Sequence, residues 1–301
     1  MTSKKTYSLL TTLVLKSCTV SVLIFVIGFI FFLFYAAFPA FQSQGLYFFT
    51  GDTWNYSTNT YGIKIFLWGT IYLTALTMVM AVPLSMFTAI YLAEYAPSAV
   101  VSTMRPLIEL LVGIPSVVYG IFGLFILEPI FAGHINPFVD STLGFIPLFE
   151  AVWHNGKSLL LAATILTIMI LPTVTTIIED SIRALPPSYR EASFALGANH
   201  WQTIKKILIP TAKSGIILGI VLGMMRAMGE TMAIAMLLGN VPNMPVSILD
   251  GGAYVMTSKI LNDITHHLVD DNARAALFGI AAVLFALEMF GVAVARKLGG
   301  K

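Results

Sequence analysis

"EDSIRALPPSYREASFALGANHWQTIKKILIP", residues 179–210, is a polar stretch between two apolar ones, yet it is built like a pair of helices. Pro186 and Pro187 can open a helix, because a proline in the first turn forfeits an N–H that no helical partner would use. Ser188 offers a capping hydroxyl with Glu191 three residues on, and Gly197 gives a permissive turn before a second helical run. Tyr189, Ala192, Phe194, Ala195 and Leu196 then form a short, partly apolar helix outside the bilayer. Such a face needs a groove on another protein; the competing reading is an amphipathic helix resting on lipid headgroups.

The flanking stretches set the class. Of 301 residues, 57% are hydrophobic and 11% charged, and the mean hydropathy is +0.85, which marks an integral membrane protein. A net charge of +2 gives no reason to expect nucleic acid, and the single Cys18 can form neither an internal disulfide nor a cysteine-rich metal site. Six apolar stretches, approximately 19–41, 68–92, 106–131, 158–178, 213–238 and 274–295, are long enough to span. The apolar core of the first, Val20 to Phe38, is longer than the signal-peptide range of roughly 7 to 15 residues, so it is read as a retained span.

Cations divide unevenly between the two sides. Lys4, Lys5, Lys16, Arg105, Arg183, Arg190, Lys205, Lys206, Lys213, Arg296, Lys297 and Lys301 fall on one side, against Lys64, Lys157 and Lys259 on the other, which predicts cytoplasmic termini. Outer loops are expected at about 42–67, 132–157 and 239–273, with Trp54, Trp68 and Trp153 at the interface. No internal repeat, low-complexity tract or long linker divides the chain.

"GMMRAMGETMAIAMLLGN", residues 223–240, places Arg226 and Glu230 inside an apolar run. An arginine at bilayer depth costs about 2.5 to 3.5 kcal/mol on insertion scales, so it should face protein or water and have a partner. On a continuous helix Gly215, Gly219, Gly223, Arg226 and Glu230 project within about 80° of one another. Two readings stand: a satisfied ion pair between tightly packed helices, or the polar lining of an anion path, which is favoured because intramembrane ionisable groups mark functional sites. A guanidinium supplies fixed donors for phosphate oxygens, and a carboxylate can accept the proton that phosphate still carries at neutral pH and sulfate lacks. Glu230 would then neutralise Arg226 in the empty state and help to reject fully deprotonated oxyanions. Pro115 with Ser116 and Tyr119, and Pro172 with Thr173, Thr175 and Thr176, mark expected kinks, with path lining as a second role. Glu288 in the last span should be paired or face a polar interior, although its sequence context names no partner.

Glu191, Ala192 and Ser193, then Gly197, Ile207, Ile209 and Pro210, resemble the "EAA" loop of ABC importer permeases, with Ser193 in place of the second alanine and Ile209 in place of a leucine. Together with "GIPSVVYG" at 113–120 and "EDSIRALP" at 179–186, the run Gly229, Glu230, Thr231, Met232, Ala233 to Gly239 and Asn240 is similar to permease subunits of the phosphate-specific (Pst) ABC importer, leaning to the PstC type. The resemblance spans about residues 68–296. It implies an all-α, six-span type I ABC importer permease of the cell membrane. Its organisation would be a cytoplasmic segment at 1–18, a first transmembrane helix at 19–41, an outer loop at 42–67 and a permease domain at 68–297 with the coupling loop at 179–212. It also implies Arg226, Glu230, Thr231 and Ser116 along a phosphate path, and Glu191, Ala192, Ser193 and Gly197 as the ATPase contact. The partners implied are a second, PstA-type permease, two ATP-binding subunits and an extracytoplasmic phosphate-binding protein. A permease for molybdate or sulfate, or a secondary transporter, are the rival readings.

Two motifs are declined. "AVWHNGKS", residues 151–158, fits a relaxed phosphate-loop pattern but sits in an outer loop beside a span, without the strand and helix that such a loop joins. His266 and His267, near Asp263, Asp270 and Asp271, read as a solvated loop rather than a metal site. The sequence carries no catalytic constellation and calls for no cofactor.

Overall fold

The computed structural model describes residues 2–151 and 156–299, with side chains for residues 11–151 and 156–297. Lys301 and residues 152–155 of the 151–158 stretch, Trp153 among them, lie outside the described residues, as do the side chains of Lys4 and Lys5. Among the described residues five helices are long and apolar enough to cross a membrane, and six if one bent pair counts as a single span. The elements are α1 (Thr2–Gln44), α2 (Tyr47–Thr50), a hairpin of β1 (Trp54–Asn55) and β2 (Thr60–Tyr61), α3 (Lys64–Ile90) and α4 (Ser98–Gly113). They continue with α5 (Ser116–Leu143), α6 (Leu159–Arg183), α7 (Ser188–Ala195), α8 (His200–Thr211), α9 (Lys213–Gly229), α10 (Met232–Leu237), α11 (Met256–His267) and α12 (Asp271–Gly299).

Four π turns interrupt the helices, at Tyr91–Tyr95, Gly123–Leu127, Phe131–Ile135 and Ile204–Leu208, and each ends two residues before a proline: Pro97, Pro129, Pro137 and Pro210. Proline lacks an N–H and its ring strikes the carbonyl four residues back, so a wider turn ahead of it accommodates the ring. In the last three cases the chain stays helical through the proline.

The chain forms two compact units. The first comprises Met1–Ile63 and Asp263–Val283. The Phe48 ring meets Phe41 and Phe49 edge-on and lies against Gly279, where a side chain would collide with it. The Ile63 N–H donates to the Phe48 carbonyl at 2.8 Å, tying the end of the hairpin segment to α2. Tyr56 stacks on His267 with ring centres 3.6 Å apart and donates its hydroxyl to Asp263. Burial, and then that hydrogen bond, push the Tyr56 phenol above its ordinary pKa. His266 and His267 therefore close the helix α11 instead of lying in an open loop.

The second unit, Lys64–Asn262 with Leu284–Lys301, is built on α6. Leu161, Ile165, Leu166, Met169 and Ile170 of α6 are fully buried, with α3 and α9 packed along it. The glycine stripe of α9 is the seam of that packing: added side chains would meet Ser181 at Gly215, Ile177 at Gly219 and Val174 at Gly223. Small residues let two backbones approach, which is what holds helices together in lipid. Gly223→Val should therefore destabilise the protein by about 1 to 3 kcal/mol, read as a lowered unfolding midpoint in detergent.

Two span boundaries differ from expectation. The third span begins at Ser116 and runs to Leu143, because Pro115 ends the preceding helix; α4 is a separate amphipathic helix lying against α6. The fifth does not run unbroken to 238: α9 ends at Gly229 and α10 starts at Met232. The expected outer loop from 239 is also not open. Leu159 and Leu160 donate their N–H groups to the Asp250 and Ile248 carbonyls, Trp68 and Tyr72 donate to Pro245 and Val246, and the Met256 N–H reaches Thr70 Oγ1. Backbone this deep in protein must find internal partners, and these backbone and side-chain groups supply them.

Candidate substrate path and coupling segment

Arg226 lies in the last turn of α9, where a cation complements the exposed carbonyls of a helix end. Its Nη1 donates to Thr173 Oγ1 at 3.0 Å, and Thr173 is near the middle of the 25-residue α6. Glu230 is the residue after the helix ends, in extended conformation. Its Oε1 accepts from the Ala233 N–H at 3.2 Å, and its carbonyl accepts from Thr257 Oγ1 at 2.8 Å. Among the described residues no ion pair joins Arg226 to Glu230, so the expected pair on one helical face is corrected: the break at Gly229 takes the carboxylate off that face and sets it over the start of α10. Its role as neutraliser of Arg226 falls with the pairing.

Thr231 Oγ1 donates to the Gly229 carbonyl at 3.2 Å, closing the corner. Ser116 opens α5, and that end of α5 packs on α10, with Gly120 against Ala233 and Met236. Arg226, Glu230 and Thr231 thus flank one helix break, and Ser116 opens the helix whose Gly120 packs on the residues just beyond it. Glu288 joins them from α12: its Oε1 is 3.7 Å from where a side chain on Gly229 would begin, and among the described residues no hydrogen bond or ion pair engages it.

At the other end of α9 and α6 lies the segment 179–211. In α7 Tyr189, Glu191, Ala192, Phe194 and Ala195 are exposed, and Leu196 beyond it is 89% exposed. Ser193 is the exception: it is buried, with its Oγ 2.8 Å from Thr203 Oγ1. Gly197 has φ +82°, and the Gly197 and Ala198 N–H groups bond back to the Phe194 and Ser193 carbonyls at 2.9 and 3.1 Å, a Schellman stop for α7. Ser188 does not cap; α7 follows Pro187 with no side-chain cap, and the capping box is instead Asn199 with Gln202 at the start of α8. Hollows of about 290 and 350 Å³ flank the turn, lined by Gly197, Gln202 and Lys206 on one side and Ser188, Tyr189 and Ala192 on the other.

Residues 81–298 match the family described as binding-protein-dependent transport system inner membrane component. The chain belongs to that family. A phosphate transport system permease protein PstC of Xylella fastidiosa is 34% identical over 262 residues, covering 86% of this chain and 80% of that protein. A probable ABC transporter permease protein, YqgH of Bacillus subtilis, is 37% identical over 258 residues, 84% of this chain and 77% of its own. A bacterial alginate ABC transporter, solved in complex with an alginate pentasaccharide-bound periplasmic protein, superposes with a TM-score of 0.62 over 96% of each chain at 14% identity, a likeness of fold.

This inner-membrane permease also contains functional candidates that the residue pattern did not bring forward. Thr173 was expected to serve a kink, and it holds Arg226. Glu94 stands in no recognisable motif, yet its side chain is 6% exposed and accepts from Arg190 Nη2 at 2.6 Å. Glu179, 2% exposed at its side chain, accepts from Arg105 Nε at 3.0 Å and Arg183 Nε at 2.8 Å. Desolvation opposes the Arg105 cation, but Glu179 and Asp180 outweigh it and hold its pKa above the ordinary value.

Proposed function

We propose that this permease is a membrane subunit of an ATP-driven importer that moves inorganic phosphate into the cell, with both termini cytoplasmic. The observation that carries the reading is Arg226: a guanidinium at membrane depth whose hydrogen-bond partner is a neutral hydroxyl, Thr173. A cation placed there without a carboxylate is ready for a passing anion. The phosphate-transport relative, 34% identical over most of the chain, supports phosphate as that anion.

Glu230, Thr231 and Ser116 line the same path. Energy comes from two ATP-binding subunits that dock on the exposed face of α7, with Glu191, Ala192 and Gly197 outward and Ser193 bracing the helix from beneath. A PstA-type permease completes the path, and an extracytoplasmic phosphate-binding protein delivers substrate. Nucleotide-driven closure rocks the coupling segments and alternates access to the buried site.

Uptake into vesicles holding the reconstituted complex tests this, with labelled phosphate, sulfate and molybdate compared. ATP-dependent phosphate uptake is expected; sulfate or molybdate uptake in its place assigns the permease to another oxyanion. Glu230→Gln should relax discrimination, because a neutral amide offers a donor to an oxygen that carries no proton. Sulfate should then compete with phosphate about tenfold better, consistent with roughly 1.4 kcal/mol of lost discrimination. Unchanged competition removes Glu230 from the selectivity filter.

A further inference from the structure

We propose that the ion pair of Arg190 with Glu94 is the transmission joint of this permease, the contact through which movement of α7 is imposed on the membrane helices. The inference rests on the docking of an ATP-binding subunit at α7, and it assigns positioning residues that the docking reading does not contain.

Arg190 is on α7 but faces inward, away from the exposed docking surface. Its Nη2 and Nε donate to Glu94 Oε1 at 2.6 and 3.1 Å, and Nε also approaches Oε2 at 3.3 Å, a forked grip with directional stiffness that a single contact lacks. The same guanidinium donates to the Leu185 and Ile182 carbonyls at 3.1 and 3.2 Å. One side chain therefore ties α7 to the end of α6 and to the π turn that continues α3. His200, at the start of α8, stacks on Tyr95 and places Nε2 3.5 Å from Glu94 Oε2, so the carboxylate is approached from both sides of the Gly197 turn.

A second clamp lies one step inward. Arg183 Nη2 donates to the Leu92 carbonyl at 2.6 Å, and its Nε shares Glu179 Oε1 with Arg105 of α4. α4 leads directly to Pro115 and to Ser116, where α5 begins. The ends of α3 and α6 and the middle of α4 are thus linked by charge-assisted bonds, and α7 enters that set through Arg190. Apolar packing alone would let α7 slide under load, since it has no directional preference. The forked pair to a buried carboxylate resists sliding.

The test uses the complete complex in vesicles with Arg190→Ala, Glu94→Gln, Arg190→Lys, the single charge reversals Arg190→Glu and Glu94→Arg, and both reversals together. Three quantities are read: co-purification of the ATP-binding subunit, ATP hydrolysis, and phosphate taken up per ATP. Arg190→Ala and Glu94→Gln should retain the ATP-binding subunit and hydrolyse ATP while uptake per ATP falls at least tenfold. Arg190→Lys should restore part of it by keeping the charge without the fork, and the exchanged pair should exceed either single charge reversal. Unchanged uptake per ATP in both neutralised variants overturns the proposal, as does loss of the ATP-binding subunit from Glu94→Gln, which would make the pair part of the docking scaffold. Failure of the wild type to hold that subunit defeats the docking reading itself and is seen before any variant is compared.

Discussion

Arg226→Gln should lower ATP-dependent phosphate uptake about a hundredfold while leaving the complex assembled. Charge-assisted hydrogen bonds contribute about 1.5 to 3 kcal/mol each, so losing two from a forked contact to phosphate removes roughly 3 kcal/mol, close to two orders of magnitude in rate. Assembly should survive because the bond that the substitution disturbs within the chain is the one to Thr173, and glutamine retains a donor that can reach a hydroxyl. Arg226→Lys keeps the charge without the fork and should fall between. Thr173→Val provides the complementary test: it leaves the guanidinium untethered, and uptake should fall several-fold with the ATP-binding subunit still bound. Uptake within twofold of wild type for Arg226→Gln would return Arg226 to a packing role and leave the phosphate reading without its central cation.

The membrane class, the spans that flank the coupling segment, and the turn at Gly197 were legible because each depends on local chemistry: apolar length, or a residue that alone tolerates a positive φ. The break at Gly229 was not. Hydrophobic residues continue past it without a proline, and the bond to the Glu230 carbonyl at the corner comes from Thr257, 27 positions away. The projection of Arg226 and Glu230 onto one face was sound for a continuous helix and failed with the helix. The third span was displaced for a related reason, since Val112 and Ile114 before Pro115, and Val117 and Val118 after it, carry the apolar run across the boundary that the proline imposes. The buried carboxylates were not legible, because the balance of lysine and arginine from which orientation is read gives acids little weight. Glu94 and Glu179 acquire meaning only when α3, α4 and α6 bring arginines to them.

Gly197→Val should weaken association with the ATP-binding subunit about tenfold, measured by co-purification or by titrating that subunit onto vesicles. A left-handed backbone costs an ordinary residue about 1 to 2 kcal/mol, and a β-branched one more, so the Schellman stop would open and the relation of α7 to α8 would change. Nothing in the chain lies within 4 Å of a side-chain carbon added at Gly197, so a collision inside the permease is not the cause. That separates two mechanisms. If the φ of +82° decides, Gly197→Asn should dock nearly as well as wild type, Gly197→Ala worse and Gly197→Val worst, because asparagine adopts this conformation at low cost. If the docked subunit presses on the turn itself, any added side chain is excluded, and asparagine fares no better than alanine. The first order makes Gly197 a maker of shape for the exposed face of α7; the second places it at the centre of the contact. Full binding by all three variants would mean that α7 is not the docking surface, and that the ATP-binding subunit engages the permease elsewhere.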